Sequence, residues 1–86
     1  MRKQENVQYF QINRNILARC WYENTNYGFR HLAELNYKNV NIENTKACYY
    51  NRTWERYEYE TILRLLLEKS KLFTDEEITK ITESFY

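Results

Sequence analysis

The sequence predicts an α+β fold: a three- to four-stranded antiparallel sheet followed by two C-terminal helices packed on one of its faces. Three observations carry that prediction. Apolar and polar residues alternate through the first half of the chain, whereas from about residue 54 the apolar residues recur at helical spacing. Gly28, the single glycine, closes an Asn- and Thr-rich stretch between two alternating runs, as a hairpin turn requires. Near the C-terminus, Thr74 precedes Glu77 by three residues, which is the spacing of a capping box at a helix start.

Each element follows in order. Val7–Ile12 reads as a first strand. Ile16–Glu23 and Phe29–Tyr37 read as a hairpin joined through Asn24-Thr25-Asn26-Tyr27-Gly28. If Glu23 stands opposite Gly28, then Tyr22 faces Phe29, Cys20 faces His31, Ala18 faces Ala33 and Ile16 faces Leu35, all on one apolar face. The opposite face pairs Trp21 with Arg30, Arg19 with Leu32 and Leu17 with Glu34, a mixed and wetted surface. A slip by one residue would destroy that sorting. Lys38–Asn44 reads as a second turn region, and Thr45–Tyr50 as a further strand.

A helix is expected from Trp54, capped by Thr53 or by Asn51, running for about four turns. Tyr59, Ile62, Leu63 and Leu66 form its apolar stripe, which Trp54, Tyr57 and Leu65 widen. Glu60 and Arg64 stand at the favourable i,i+4 spacing. In the last helix, Phe73 and Ile78 are placed as a hydrophobic staple around the Thr74-Asp75-Glu76-Glu77 box, and Ile78, Ile81 and Phe85 line one side.

The chain of 86 residues has room for one small domain, 1–86, with a thin core. A hydrophobic content of 43% with 17% aromatics is too high for a disordered chain. No apolar run approaches the roughly 18 residues of a membrane span. Met1–Asn6 has no apolar stretch behind it, so no secretory leader is expected, and Cys20 and Cys48 read as reduced thiols of a cytoplasmic protein. The Asn51-Arg52-Thr53 sequon then carries no meaning. Thirteen basic against twelve acidic residues give a net charge of +1, which removes the simplest argument for nucleic-acid binding. The charge is uneven: residues 1–50 hold seven basic and four acidic groups, or +3, and residues 51–86 hold six and eight, or −2.

Little in the sequence points to catalysis. A single glycine excludes a glycine-rich phosphate loop. Cys20 opposite His31 is the minimal thiol–imidazole pair, with Cys48 nearby, but both lie on the apolar face, where cysteine acts as a small hydrophobe. The same residues lack a fourth metal ligand. Glu58 with Glu60 and Glu76 with Glu77 read as solvated charge on helix surfaces. No enzyme activity, cofactor or metal is expected.

The mixed face of the hairpin is the candidate for recognition. It carries Arg19, Trp21 and Arg30, and Lys46 and Tyr50 join from the next strand. Tyrosine, tryptophan and arginine are the residues that anchor protein interfaces, and they also serve single-stranded nucleic-acid platforms. Tyr49-Tyr50-Asn51-Arg52-Thr53-Trp54-Glu55-Arg56-Tyr57 resembles a strand-to-helix segment of small accessory proteins of bacteriophages and mobile elements, with the likeness covering about residues 45–66. That resemblance implies a phage or plasmid context, in which some small proteins block host defence nucleases such as CRISPR effectors. In the residues themselves, Trp54 reads as a core anchor and Asn51-Arg52-Thr53 as a helix start.

The expected function is a non-enzymatic binding module that occludes a protein partner, such as a host nuclease or its nucleic-acid complex. Arg19, Trp21, Arg30, Tyr50, Arg52 and Arg56 are its expected contacts. Direct nucleic-acid binding by the basic half is the second reading. Self-association is a third expectation, because a dimer would hide apolar area that a thin monomer core leaves out.

Overall fold

A computed structural model of the chain describes residues 5–38, 43–55 and 57–83. Four strands, β1 (Glu5–Asn13), β2 (Ile16–Thr25), β3 (Gly28–Tyr37) and β4 (Thr45–Asn51), are followed by two helices, α1 (Glu58–Ser70) and α2 (Asp75–Glu83). The strands form one antiparallel meander in the order β1-β2-β3-β4. Both helices lie on one side of it, and the molecule measures 18 Å along its shortest axis, the depth of one sheet and one helical layer. The α+β expectation of strands followed by two helices holds.

Alternation sorts the sheet as its period of two requires. Ile16, Ala18 and Cys20 from β2, with His31, Ala33 and Leu35 from β3, are buried toward the helices. Ile62, Leu63, Leu66 and Leu67 of α1 close this core and are fully buried. At roughly 1.5–3 kcal/mol for each such side chain, this stripe is the main force holding helix to sheet. Leu67 belongs to it, while Leu65 is exposed, so the stripe is turned slightly from the one the spacing suggested. Phe10, Tyr49, Trp54, Phe73 and Ile81 pack around the core's margin.

The hairpin register differs from the expected one by two residues. Thr25 pairs with Gly28, so Tyr22 faces His31, Cys20 faces Ala33 and Ala18 faces Leu35. A shift of two keeps every side chain on its face, so hydrophobic sorting is blind to it. Local turn chemistry decides instead. Thr25 Oγ1 donates to the Gly28 carbonyl at 2.7 Å and accepts from the Tyr27 N–H at 3.2 Å, which tightens the loop to Asn26-Tyr27. Gly28 holds φ at 125°, and a Cβ there would come within 2.5 Å of the Asn51 carbonyl oxygen. The expected pairings of Cys20 with His31 and of Trp21 with Arg30 are thereby corrected.

Helix α1 starts later than expected. Its N-cap is Tyr57, without a side-chain capping bond, and neither Thr53 nor Asn51 caps it. Asn51 is still the last residue of β4 and its side chain is committed elsewhere, donating to Glu58 Oε1 at 2.8 Å. Glu58, expected to be solvated, is buried at 4% exposure and also accepts a hydrogen bond from the Tyr49 hydroxyl. At the far end Lys71 takes a left-handed conformation and caps α1. The capping box of α2 is present in both directions: the Glu77 N–H donates to Thr74 Oγ1 at 3.2 Å and the Thr74 N–H to Glu77 Oε1 at 3.0 Å. Arg64 reaches from α1 to Thr82 Oγ1 of α2 at 3.0 Å, tying the two helices together. Phe85, expected on the same stripe, lies outside the described residues, as do positions 39–42 of the second turn region. No helix among the described residues is long and apolar enough to cross a membrane.

Candidate protein-binding face

With both helices on one side, the other face of the sheet carries Arg19 and Trp21 from β2, Arg30 and Leu32 from β3, and Lys46, Cys48 and Tyr50 from β4. Strand parity alone assembles them. Arg30 stands directly across from Tyr50, and Trp21 directly across from Leu32. A groove of about 440 Å³ opens here, lined by Arg19, Trp21, Arg30, Lys46 and Cys48 among others.

Its electrostatics follow from two ion pairs. Arg19 meets Glu34 at 3.1 Å and Arg30 meets Glu23 at 3.3 Å. Both are cross-strand neighbours in the observed register. The Arg19 guanidinium lies 4.4 Å from the centre of the Trp21 ring, so the cation over the indole comes from the same strand and not from Arg30. Trp21 is therefore on the outer face but only 7% exposed, and its ring is a floor of the groove, not an open platform. Three N–H donors remain buried with no acceptor among the described residues: Trp21 Nε1, Arg19 Nε and Arg30 Nε. A buried donor left unpaired costs roughly 1–3 kcal/mol.

Of the six expected contacts, Arg19, Trp21, Arg30 and Tyr50 come together on this face. Arg52 is exposed just past the end of β4, and Arg56 lies outside the described residues. Tyr50 is 60% exposed and is the most open aromatic on the groove's side of β4. Two participants escaped the sequence reading. Cys48, expected only near the Cys20–His31 pair, stands on the outer face and is exposed, because β4 points its even residues outward. Lys69, at the end of α1, reaches around the β4 edge and donates to the Lys46 carbonyl at 2.7 Å; no local signal in the sequence places a helix lysine beside that strand.

The thiol and imidazole are not arranged for chemistry. Burial pushes the Cys20 thiol up to about 12, far from the depressed value a nucleophile needs. His31 is wholly buried, stacks on Tyr49 at 4.7 Å between ring centres, and has neither nitrogen bonded to a described residue; burial lowers its pKa. Among the described residues no cluster of His, Cys, Asp and Glu is grouped to hold a metal ion. Set against protein-family models, curated proteins and solved structures, the chain matches none.

Proposed function

We propose that this chain is a non-enzymatic binding module that engages a partner protein through the outer face of its sheet and acts by covering the partner's working surface. One observation carries the reading: Arg19, Arg30, Lys46 and the exposed Tyr50 stand together on the face that the chain's own helices leave open. Interfaces are anchored by arginine, tyrosine and tryptophan around a pocket, and this face holds all three beside one. A host defence nuclease is proposed as that partner solely on the resemblance read from the sequence of residues 45–66. Direct nucleic-acid binding has less support, because the Trp21 face that a base would stack on already holds Arg19, and both arginines are ion-paired.

The test is affinity capture by the tagged chain from an extract of its own cell, compared with Tyr50→Ala and Arg30→Ala. Both sites are at the surface, so both variants should keep the wild-type circular dichroism. Captured partner should fall at least tenfold for each. Undiminished capture by both folded variants overturns the reading. Oligonucleotide binding that collapses between low and physiological salt would favour the nucleic-acid reading instead.

A further inference from the structure

Asn51 ends β4 and Glu58 opens α1, and their side chains meet across the connection between the two elements. Glu58 is buried there among neutral groups. Two donors reach its carboxyl: the Asn51 amide on Oε1 at 2.8 Å, and the Tyr49 hydroxyl on Oε2. Among the described residues no cation is paired with it, since the ion pairs there are Arg19 with Glu34 and Arg30 with Glu23. The titratable groups packed about the junction are His31 from β3, stacked on Tyr49, Tyr22 and Cys20 from β2, and Tyr59, next in α1. From β1 comes only the Asn6 carbonyl, which Tyr59 holds. Phenols, a thiol and an imidazole that burial keeps neutral supply no positive charge. Glu55, whose carbonyl accepts the Glu58 N–H at 2.9 Å, has the same sign as an ionised Glu58.

The Tyr49 hydroxyl lies within hydrogen-bonding distance of two oxygens of Glu58, the backbone carbonyl at 3.2 Å and the side-chain Oε2. A phenol has one proton to give. With Glu58 ionised, both oxygens are pure acceptors and that single proton must serve the two. With Glu58 protonated, its own O–H donates to the Tyr49 oxygen, the Tyr49 O–H donates to the carbonyl, and Oε1 still accepts from Asn51. Every group is then paired and no charge is buried. We infer that Glu58 is held as the neutral acid and acts as a proton-operated latch: protonated, it fastens the end of β4 to the first turn of α1, and ionised, it releases them. Burial acts in the same direction, raising the Glu58 pKa above the ordinary carboxyl value.

A carboxyl whose folded pKa is raised stabilises the closed junction below its ordinary value, and that support is lost as pH rises through the folded value. The latch is therefore tight in acid and loosens as pH rises. His31 responds in the opposite sense, so the change is to be read at the junction and not from global stability. Tyr50 stands between Tyr49 and Asn51 and points to the outer face, across from Arg30. Ionisation of Glu58 thus loosens the strand end that presents Tyr50. The latch itself belongs to the interior and stands whether or not the outer face binds a partner.

The test is a pH titration of the full chain labelled with carbon-13 at its glutamate carboxyls, read by NMR beside amide exchange at Tyr49 and Asn51. Lys69 takes the Lys46 carbonyl from outside the sheet at 2.7 Å, so the odd residues of β4 bond to β3 and their amides report on its fastening. One carboxyl, missing in Glu58→Gln, should hold its proton at least tenfold more tightly than the exposed glutamates. Protection of the Tyr49 and Asn51 amides should fall at least tenfold as that proton leaves, while β2 amides keep theirs. Glutamine mimics the neutral acid, with an N–H for the Tyr49 oxygen, so Glu58→Gln should keep the acid-side protection at every pH. A Glu58 carboxyl that titrates with the exposed glutamates overturns the neutral acid. A tightly held proton whose loss leaves protection at Tyr49 and Asn51 unchanged overturns the latch. If Glu58→Gln does not fold, assignment through the backbone of residue 58 replaces it, and the wild-type titration and exchange decide.

Discussion

His31 is the residue at which burial and chemistry conflict most. It sits on the inner face of β3, directly across from Tyr22 on one side and Tyr49 on the other, with no exposure. Both ring nitrogens lack a described partner, so only its aromatic plane is used, stacked at 18° on Tyr49. Phenylalanine keeps the plane and removes the unpaired nitrogens. His31→Phe should therefore raise stability by about 1 kcal/mol, read as the urea midpoint at neutral pH; a loss of that size would mean the imidazole has a partner. The pH dependence has a definite sign. Burial holds the folded pKa below the ordinary imidazole value of 6.5, so the neutral ring's contribution is present above that pH and is lost as pH falls through it toward the folded value. The wild type should weaken on acidification through that window and His31→Phe should not. Gly28 is the second residue with a sharp expectation. Alanine there meets the Asn51 backbone and must hold φ near 125°, so Gly28→Ala should cost about 1–3 kcal/mol in the same measurement.

At the scale of elements, what could be read from the sequence divides along a physical line. Elements set by periodicity or by local capping were legible: the four strands, the α1 stripe through Tyr59, Ile62, Leu63 and Leu66, and the α2 box at Thr74 and Glu77. Which face of the sheet would be open was legible too, because a period of two fixes it. What failed depended on choices between equivalent alternatives or on distant contacts. A register two residues away preserves the faces, so only the Thr25–Gly28 turn geometry distinguishes it. The start of α1 moved because Asn51 stayed in β4 and bonds to Glu58, a tertiary contact that outweighs capping propensity. Burial of Trp21 by Arg19 is likewise a matter of rotamer, not of pattern. The Glu58 carboxylate joins β4 to the first turn of α1 through Tyr49 and Asn51, and burial raises its pKa. Glu58→Ala should cost about 1 kcal/mol by removing the acceptor of the half-buried Asn51 amide, while the Tyr49 hydroxyl keeps the carbonyl of residue 58 at 3.2 Å. Thr74→Ala should cost about 1 kcal/mol and act on the end of α2. Hydrogen exchange would separate the two: the first loosens β4 against α1, the second frays only the start of α2.

At the scale of the whole molecule, the two cysteines report on different surfaces of one sheet. Cys48 points outward from the edge strand and is exposed, while Cys20 lies in β2 between β1 and β3, fully buried. No local opening that leaves the sheet intact exposes Cys20, because it faces the α1 core and its strand is flanked on both sides. Its thiol must also leave an environment that pushes its pKa up to about 12 before it can react. Under native conditions a maleimide should therefore modify one thiol per chain, Cys48, at close to the rate of a free thiol. Cys20 should react only through global unfolding, so its labelling rate, divided by the rate in the denatured chain, should give the free energy obtained from urea titration. A thin core predicts that this free energy is small, so the slow phase should be measurable within hours. If Cys20 labels much faster than the global stability allows, the sheet opens beneath α1, and the rigid outer face on which partner recognition depends would not exist in solution.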